Sequence, residues 1–475
     1  MFWGDRMYRK SDRAQLSMDE FFMPFGGRLS ADNRWIKIAK LMPWDMVEDL
    51  YADTFKDENP DGRPPIPARI AFGAIYIKEQ ETLTDERTVE YIAENPYMQY
   101  FLGLSEFRQE PLFDPSMMVH FRKRFTTEMI RQINEELYQR MNPPKPPENG
   151  GNDGTLILDA TSAPADIRYP TDLSLLNECR ENTEQMIDEL WESTERNGHK
   201  TAYNRKKARA KYLSVAKQRK PRKNKVKQAV REQLEYVGKN LETIDRLMAE
   251  SGRTMSPNRQ SRLETIQEVE RQQREMLKSK SHSIDNRIVS LRQPHVRPIV
   301  RGKARSPVEF GQKLAFSVIN GFTFIDSQSW DNFNEGVTLI ESAEKYKARH
   351  GVYPLAILAD TAYRNRNNRS FCKRNGIRLS GPRLGRPKPE EKEADSGQAY
   401  RDSCERNTVE SRNGIAKRRY GLNLIMATLS CTAQTEAALN VLAMNVAHVL
   451  RVLLRLFFRF NFKRNFYIKK LVWAD

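Results

Sequence analysis

Apolar residues recur at intervals of three and four over most of the first 140 residues, which is the spacing of amphipathic α-helices. The clearest stretches are 66–77 and 88–100. We therefore predict an all-helical N-terminal domain over residues 1–140. The segment 141–154, MNPPKPPENGGNDG, is rich in Pro, Gly and Asn and predicts a linker.

The pattern changes after this linker to short aliphatic runs that are typical of buried strands. One run, TLILDATSAP at 155–164, contains Asp159, and a second, LAILADTAY at 355–363, contains Asp360. Aspartate is depleted in strands, and a buried carboxylate is unfavourable unless a partner compensates its charge. Both acids therefore call for a functional explanation.

The chain between the two runs predicts how they meet. Asn320-Gly321 separates two alternating apolar runs and predicts a tight hairpin. A helical pattern at about 334–350 then predicts a crossover back to the same sheet. If the strands of Asp159 and Asp360 are adjacent and parallel, both acids lie at one edge of an α/β sheet, at the strand ends, where two hard cations can find oxygen ligands.

A third acid is expected from the helical segment 404–422, CERNTVESRNGIAKRRYGL. Arg406, Glu410 and Lys417 are separated by four and seven residues, so they share one helix face. We predict that Glu410 completes the metal site and that Arg406 and Lys417 bind phosphate. Glu405 is the main rival for the third acid, and an accidental spacing is the alternative interpretation.

The stretch 172–290 is polar and helical and predicts an insertion between the strands. Within it, residues 196–231 contain fifteen Lys or Arg and no Asp or Glu. Downstream, apolar residues from Val226 to Met248 follow four and three spacings, and SGRTMSPN at 251–258 predicts the turn of a helical hairpin. We expect the basic segment to contact DNA phosphates through Lys206, Lys207, Arg209 and Lys211. The alternative is a solvated insertion without a ligand.

A second basic cluster occurs in FDPSMMVHFRKRF at 113–125, which predicts a turn followed by a helix. Arg122 and Arg124 could contact phosphates there. A solvated basic face above an aromatic stripe is an equally good interpretation.

The whole chain has 79 basic and 62 acidic residues among 475, a net charge of +17. This excess favours a polyanionic partner, with nucleic acid the better candidate than an anionic membrane. The C-terminal part, 431–475, predicts a helix and a basic tail. Its apolar stretch at 437–462 is interrupted by three arginines, so we expect no membrane span.

These motifs together resemble a DDE transposase of a bacterial insertion sequence. Asp159 in LILDAT and Asp360 in ILADTAY match the first two acids of that family, and Arg406, Glu410 and Lys417 match its RxxxExxxxxxK signature. The N-terminal stretches GRPPIPARIAF and FDPSMMVHFRKRF resemble its helical domain, which implies that residues 1–140 serve DNA binding or dimerisation. A related subgroup has Tyr three residues before the Arg, where this chain has Ser403.

The resemblance implies an RNase H-like mixed α/β sheet over residues 155–430, with the helical insertion inside it. It implies a cytoplasmic, nucleoid-associated enzyme that binds the terminal inverted repeats of its element and acts on double-stranded DNA as a homodimer or larger assembly. Asp159, Asp360 and Glu410 would then be both catalytic residues and ligands of two Mg²⁺ ions, which Mn²⁺ could replace. Two other classes stay open: a nuclease without strand transfer, and a DNA-binding protein that has lost catalysis.

Overall fold

The computed structural model describes residues 10, 17–23, 27–56, 64–143, 151–192, 204–252, 254–300, 308–381 and 389–472. The chain folds into two compact units. The first consists of Met1–Pro164, Lys313–Ser329 and Phe333–Asp475, and the second of Ala165–Gln312 and Trp330–Asn332.

The N-terminal part of the first unit is helical, as predicted. Asn33 begins the first helix by accepting a hydrogen bond from the Trp35 backbone NH, and Thr84 does the same for Arg87 in the fourth. The helices are α1 (Arg34–Leu41), α2 (Trp44–Asp53), α3 (Ala68–Glu81), α4 (Asp85–Glu94), α5 (Pro96–Phe101), α6 (Met117–Arg124) and α7 (Thr127–Met141).

Aromatic side chains form much of the core between these helices. The ring centroid of Phe101 lies 5.0 Å from that of Trp44, 5.2 Å from that of Trp35 and 5.6 Å from that of Tyr76. Aromatic rings bury large apolar areas, so this cluster stabilises the packing of several short helices.

The described strands form one mixed sheet. They are β1 (Thr155–Pro164), β2 (Arg297–Val300), β3 (Val308–Ile319), β4 (Phe322–Ser329), β5 (Ala356–Leu358) and β6 (Arg378–Leu379). The order is β2-β3-β1-β5-β6, with β4 paired to β3 as well. β1, β5 and β6 are parallel, whereas β2 and β4 run antiparallel to β3.

The predicted hairpin at Asn320-Gly321 is confirmed between β3 and β4. Both residues have positive φ, 50° and 81°, as a two-residue turn of this hand requires. Gly321 has a second role, because a Cβ there would lie 2.6 Å from Nε2 of His448.

The helices after the hairpin pack on the sheet of the first unit or on its N-terminal helices. They are α12 (Leu339–His350), α13 (Arg366–Arg374), α14 (Pro389–Arg419) and α15 (Ser430–Val472). The crossover helix predicted at about 334–350 is α12, which begins after a single 3-10 turn at Glu335–Val337.

The helices of the second unit are α8 (Asp172–Glu192), α9 (Arg205–Ala216), α10 (Lys223–Ser251) and α11 (Pro257–Ser279). The predicted helical hairpin is confirmed by α10 and α11, and α10 packs most closely against α8. The apolar seam of α10 is buried there, including Val237 and Ile244, both with no exposed surface. Residues 196–203 of the predicted basic segment lie outside the described residues.

One prediction about the strands is wrong. Asp159 does not end its strand, because β1 continues for five more residues to Pro164. β5 pairs only with Thr155–Ile157, whereas β3 flanks β1 on its other side, so the strand extends beyond its shorter neighbour.

The compact units differ from the predicted division at residues 140 and 430, because α15 packs against α3 and α7. Residues 144–150 of the predicted linker lie outside the described residues, and the domain boundaries stay a prediction. α15 also contains the one stretch among the described residues with the length and hydropathy of a membrane span. This stretch, Ser430–Arg455, has a mean hydropathy of 1.7, and 61% of its most apolar window is buried inside the protein.

Candidate active site

The parallel pairing of β1 and β5 brings two of the predicted acids to one edge of the sheet. Ile157 pairs with Leu358 at the end of the shared register. Asp159 and Asp360 each follow two residues later, so they occupy equivalent positions on neighbouring segments. The pairing that the sequence predicted is therefore confirmed, although the roles of the two acids stay a prediction.

Asp159 is the more enclosed of the two. Its Oδ2 accepts a hydrogen bond of 2.6 Å from Nδ2 of Asn413 on α14. Burial raises the pKa of Asp159 to about 6, and the negative charges of Glu335 and Glu410 contribute to the rise. A carboxylate in this position gains from any cation that binds beside it.

Asp360 is open to solvent, with a side chain 58% exposed. It caps the 3-10 turn Thr361–Tyr363, where its Oδ1 accepts hydrogen bonds from the backbone NH and the hydroxyl of Thr361. The cap fixes one carboxylate oxygen of Asp360. The second oxygen stays available to bind a cation from a position that the backbone holds.

The predicted third acid approaches the sheet on α14. Val409 anchors the helix in a core cluster with Ile157 of β1 and Leu358 of β5. The next residue, Glu410, is 60% exposed, and its Oε1 lies 3.7 Å from Nη2 of Arg406. The packing of one apolar residue thus brings the α14 turn that contains Glu410 against β1 and β5 near Ile157 and Leu358.

Arg406 lies between two of the predicted acids. Its Nη1 is 3.5 Å from Oδ1 of Asp360 and its Nη2 is 3.7 Å from Oε1 of Glu410, so one guanidinium bridges both carboxylates. Glu405 is exposed and forms no ion pair within the described ranges. Lys417 lies half-buried in the last turn of α14.

The donor set fits hard divalent cations, because it consists of carboxylate oxygens without sulfur or imidazole. The Arg406 guanidinium stands where a cation is attracted by both Asp360 and Glu410. In this arrangement no three His, Cys, Asp or Glu side chains of the described residues are close enough together to hold a metal ion. A bound ion would therefore need Arg406 to move and the acids to converge.

Two residues that the sequence analysis missed also belong to this edge. Asn413 orients Asp159, and its place is set by the helix period, three residues after Glu410 on α14. Glu335 lies on the turn before α12 and raises the pKa of Asp159. The sequence signal that could have identified Glu335 is the segment DNFNE before an amphipathic helix. Such segments commonly precede helices, so this one does not indicate a functional site by itself.

The basic residues of α6 are engaged within the first unit. Nη1 and Nη2 of Arg122 each donate a hydrogen bond of 2.7 Å to a carboxylate oxygen of Asp85. Nη1 of Arg124 donates to the backbone oxygen of Thr54 at 3.0 Å, and its guanidinium lies 3.9 Å from the ring centroid of Phe55. These contacts favour the structural interpretation of the α6 pair, Arg122 and Arg124, whose DNA contact stays a prediction.

The basic residues of α9 behave differently. Lys206, Lys207 and Arg209 are exposed and form no ion pair within the part of the chain that the structure describes. Lys211 is less available, because its Nζ lies 3.2 Å from Oε1 of Glu232 on α10. We call these four residues the α9 cluster.

Comparison with known families agrees with this geometry. A transposase domain family (DUF772) matches residues 24–124, which contain α1 to α6. A transposase DDE domain family matches residues 357–447, which contain Asp360 and the whole Arg406, Glu410 and Lys417 set. The two matches confirm the class that the sequence resembles, a DDE transposase of an insertion sequence.

One relative is a protein described as uncharacterized, ORF8 in the nfe locus of Rhizobium meliloti. It is 32% identical over 98 residues, which are 21% of this chain and 46% of the relative. The chain thus spans about half the length of the curated relative that it matches. No solved structure matches.

Proposed function

We propose that this protein is a DNA transposase that binds the terminal inverted repeats of an insertion sequence, cuts the DNA strand there and joins the end to target DNA. The observation that carries the proposal is the parallel pairing of β1 and β5, which sets Asp159 and Asp360 at equivalent positions, with Arg406 between Asp360 and Glu410. These acids come from positions up to 251 residues apart, from 159 to 410. We propose an RNase H-like fold for the sheet, supported by its order of β4, β3, β1, β5 and β6.

Each residue of the edge has a distinct proposed role. Asp159, Asp360 and Glu410 hold two Mg²⁺ ions, with Mn²⁺ as a substitute, and Asn413 keeps Asp159 oriented toward them. When bound, such ions activate the attacking hydroxyl and stabilise the leaving 3′ oxygen of a phosphodiester. Without bound cations, Arg406 compensates the charges of Asp360 and Glu410. When cations displace its guanidinium from these carboxylates, Arg406 can contact a phosphate of the DNA. Lys417, on the same helix, also binds phosphate.

The same residues serve cutting and joining, because both are in-line displacements at phosphorus. Water attacks in the first reaction, and the freed 3′ hydroxyl attacks target DNA in the second. Since both ends of the element must be joined, we propose a homodimer or larger assembly on DNA. The α9 cluster supplies backbone contacts to the duplex, and the enzyme acts in the bacterial cytoplasm on nucleoid DNA.

The test is an assay with supercoiled plasmid that carries paired inverted repeats, supplied with Mg²⁺ and target DNA. We expect the wild type to release the ends and join them to the target. We expect Asp360→Asn to bind the ends and cut nothing, because the amide keeps the shape but lacks the charge that holds the metal. Cleavage by Asp360→Asn at the wild-type rate would remove Asp360 from the site.

A matched pair of variants on α14 decides the third acid. Glu410→Gln should abolish cleavage, whereas Glu405→Gln should cut normally, since among the described residues Glu410, and not Glu405, pairs with Arg406. The reverse result would assign the role to Glu405. Cutting by the wild type without any joined product would favour the second candidate, a nuclease of the same fold, and binding without cutting would favour a protein that has lost catalysis.

A further inference from the structure

The 3-10 turn Glu335–Val337 packs directly against the turn Thr361–Tyr363, which Asp360 caps. A Cβ at Gly336 would lie 2.5 Å from the backbone oxygen of Ala362, so only glycine permits this approach. The Gly336 oxygen accepts hydrogen bonds from Nδ2 of Asn365 at 3.1 Å and of Asn368 at 2.6 Å. Glu335 is therefore fixed to the segment that presents Asp360.

A buried lysine holds the Glu335 side chain. Nζ of Lys313 on β3 lies 3.1 Å from Oε1 of Glu335, and the lysine side chain is 10% exposed against 30% for the glutamate. The same Nζ donates a hydrogen bond of 2.8 Å to the backbone oxygen of Phe333. Because a buried ammonium needs a compensating charge, the pair holds the Glu335 side chain in place.

Tyr363 is a buried residue of the turn that Asp360 caps. Its side chain has no exposed surface, and its hydroxyl has no hydrogen-bond partner within the described residues apart from a loose contact with Thr338. Burial raises the pKa of Tyr363 first, and the negative charges of Glu335 and Asp159 raise it further. A buried hydroxyl without a full set of partners therefore lies in the turn that Asp360 caps, and the negative charges of Glu335 and Asp159 both act on it.

We propose that Glu335 is a fourth carboxylate of the metal centre, held beside Asp159 and Asp360 by Lys313 until cations bind. The inference rests on the proposed function, because it assigns one more residue to the same centre. Four carboxylates balance the charge of two divalent cations, whereas three leave an excess positive charge at the edge. In the metal-free protein, Lys313 and Arg406 supply part of that positive charge.

The test measures Mn²⁺ binding to the full-length protein by titration calorimetry, without DNA. We expect Glu335→Gln to weaken binding by about 10- to 100-fold, the usual effect of losing a group that supports a metal site. Glu341→Gln is the matched control, because Glu341 lies on α12, pairs with Lys345 and is half exposed. Its affinity for Mn²⁺ should equal that of the wild type.

Glu335→Gln leaves the ammonium of Lys313 buried beside a neutral amide, which could destabilise the protein. A second variant, at Lys313, controls for this effect. Lys313→Met alone should tighten Mn²⁺ binding, since it removes the cation that competes for Glu335. The double variant Lys313→Met/Glu335→Gln should bind more weakly than Lys313→Met, by a larger factor than separates Glu335→Gln from the wild type, because the two residues are in direct contact and their effects are coupled. A purely structural ion pair would change the melting temperature of the metal-free protein and leave these affinities unchanged.

Asp360→Asn separates this inference from the proposed function. In one outcome, Asp360→Asn loses Mn²⁺ affinity, whereas Glu335→Gln binds like the wild type and the double variant binds like Lys313→Met. This outcome would overturn the role of Glu335 and leave the proposed metal centre supported. If Asp360→Asn also binds Mn²⁺ like the wild type, the centre itself is wrong and both proposals fall.

Discussion

The α6 pair and the α9 cluster are both basic but differ in what their side chains contact. Arg122 has a salt-bridged side chain that is 17% exposed, and Arg124 lies against Phe55. Lys206, Lys207 and Arg209 face solvent. In α6 the cations stabilise a core that consists of short helices, whereas three of the four cations of the α9 cluster face solvent. The number of basic residues in a segment therefore does not predict how many are available to DNA.

The surroundings of Arg122 explain the difference. Asp85 starts the helix opposite α6, and its carboxylate accepts hydrogen bonds from both guanidinium nitrogens. Further inside, Glu79 pairs with Lys78, with Glu436 close by. Exposing or unpairing a charge in a partly buried network is unfavourable. These basic side chains are therefore not available to bind a DNA phosphate.

We expect the largest effect from Arg122→Ala, which leaves Asp85 without its partner. Unfolding in urea should show a loss of about 3 kcal/mol, as for one partner of a buried ion pair. The matched control is Lys123→Ala on the exposed face of the same helix, with a change within about 0.5 kcal/mol. A stable Arg122→Ala protein with greatly weakened DNA binding would reverse our assignment of the α6 pair.

The network around Arg122 should also show in the pH dependence of stability. Burial, and next the charge of Glu79, raise the pKa of Glu436 to about 7. The protonated Glu436 side chain therefore contributes free energy of unfolding that is complete below the pKa of the unfolded chain. This contribution is lost as pH rises through about 7. Relative to the wild type, Glu436→Gln should gain stability between about pH 4.5 and pH 8, by on the order of 2 kcal/mol.

The measurement for Glu436 is the free energy of unfolding of both proteins across that pH range. The glutamine side chain has one oxygen in place of the two that accept hydrogen bonds from the backbone NH groups of Met426 and Ala427, and this cost is independent of pH. Only the slope of the difference is therefore informative. A flat difference would show that Glu436 titrates with an ordinary pKa.

Neutralising the exposed members of the α9 cluster should act on DNA binding and not on folding. Lys206→Gln, Lys207→Gln and Arg209→Gln together should weaken binding of an end-containing duplex by about tenfold or more. The slope of log affinity against log salt should fall by about 0.9 for each phosphate that the variant no longer neutralises. Unchanged affinity and slope, with unchanged melting temperature, would leave α9 as a solvated helix.

The smallest expected effect distinguishes members of the α9 cluster from one another. Lys211 pairs with Glu232, so Lys211→Gln should reduce DNA affinity less than Lys207→Gln does. Removing the charge of Glu232 should release Lys211, and we expect Glu232→Gln to strengthen binding slightly. Equal effects of Lys207→Gln and Lys211→Gln would show that DNA displaces the ion pair.

The sequence alone determined the elements that depend on local pattern. The Asn320-Gly321 turn, the seam of α10 and the helical N-terminal region follow from backbone preference and from the period of apolar residues, which neighbours in sequence decide. The parallel placement of the strands of Asp159 and Asp360 followed as well, because a helical crossover leaves few topologies. The spacing of Arg406 and Glu410 predicted their shared helix face.

Only the tertiary structure decided which charges meet. Arg122 and Asp85 are 37 residues apart, and Lys211 finds its acid on another helix although its own segment has none. The length of β1 beyond Asp159 depends on the neighbouring strand, and the place of Glu335 depends on the contact of Gly336 with Ala362. Electrostatic partners and close backbone contacts are set by distances in space, which a local pattern of residues does not encode.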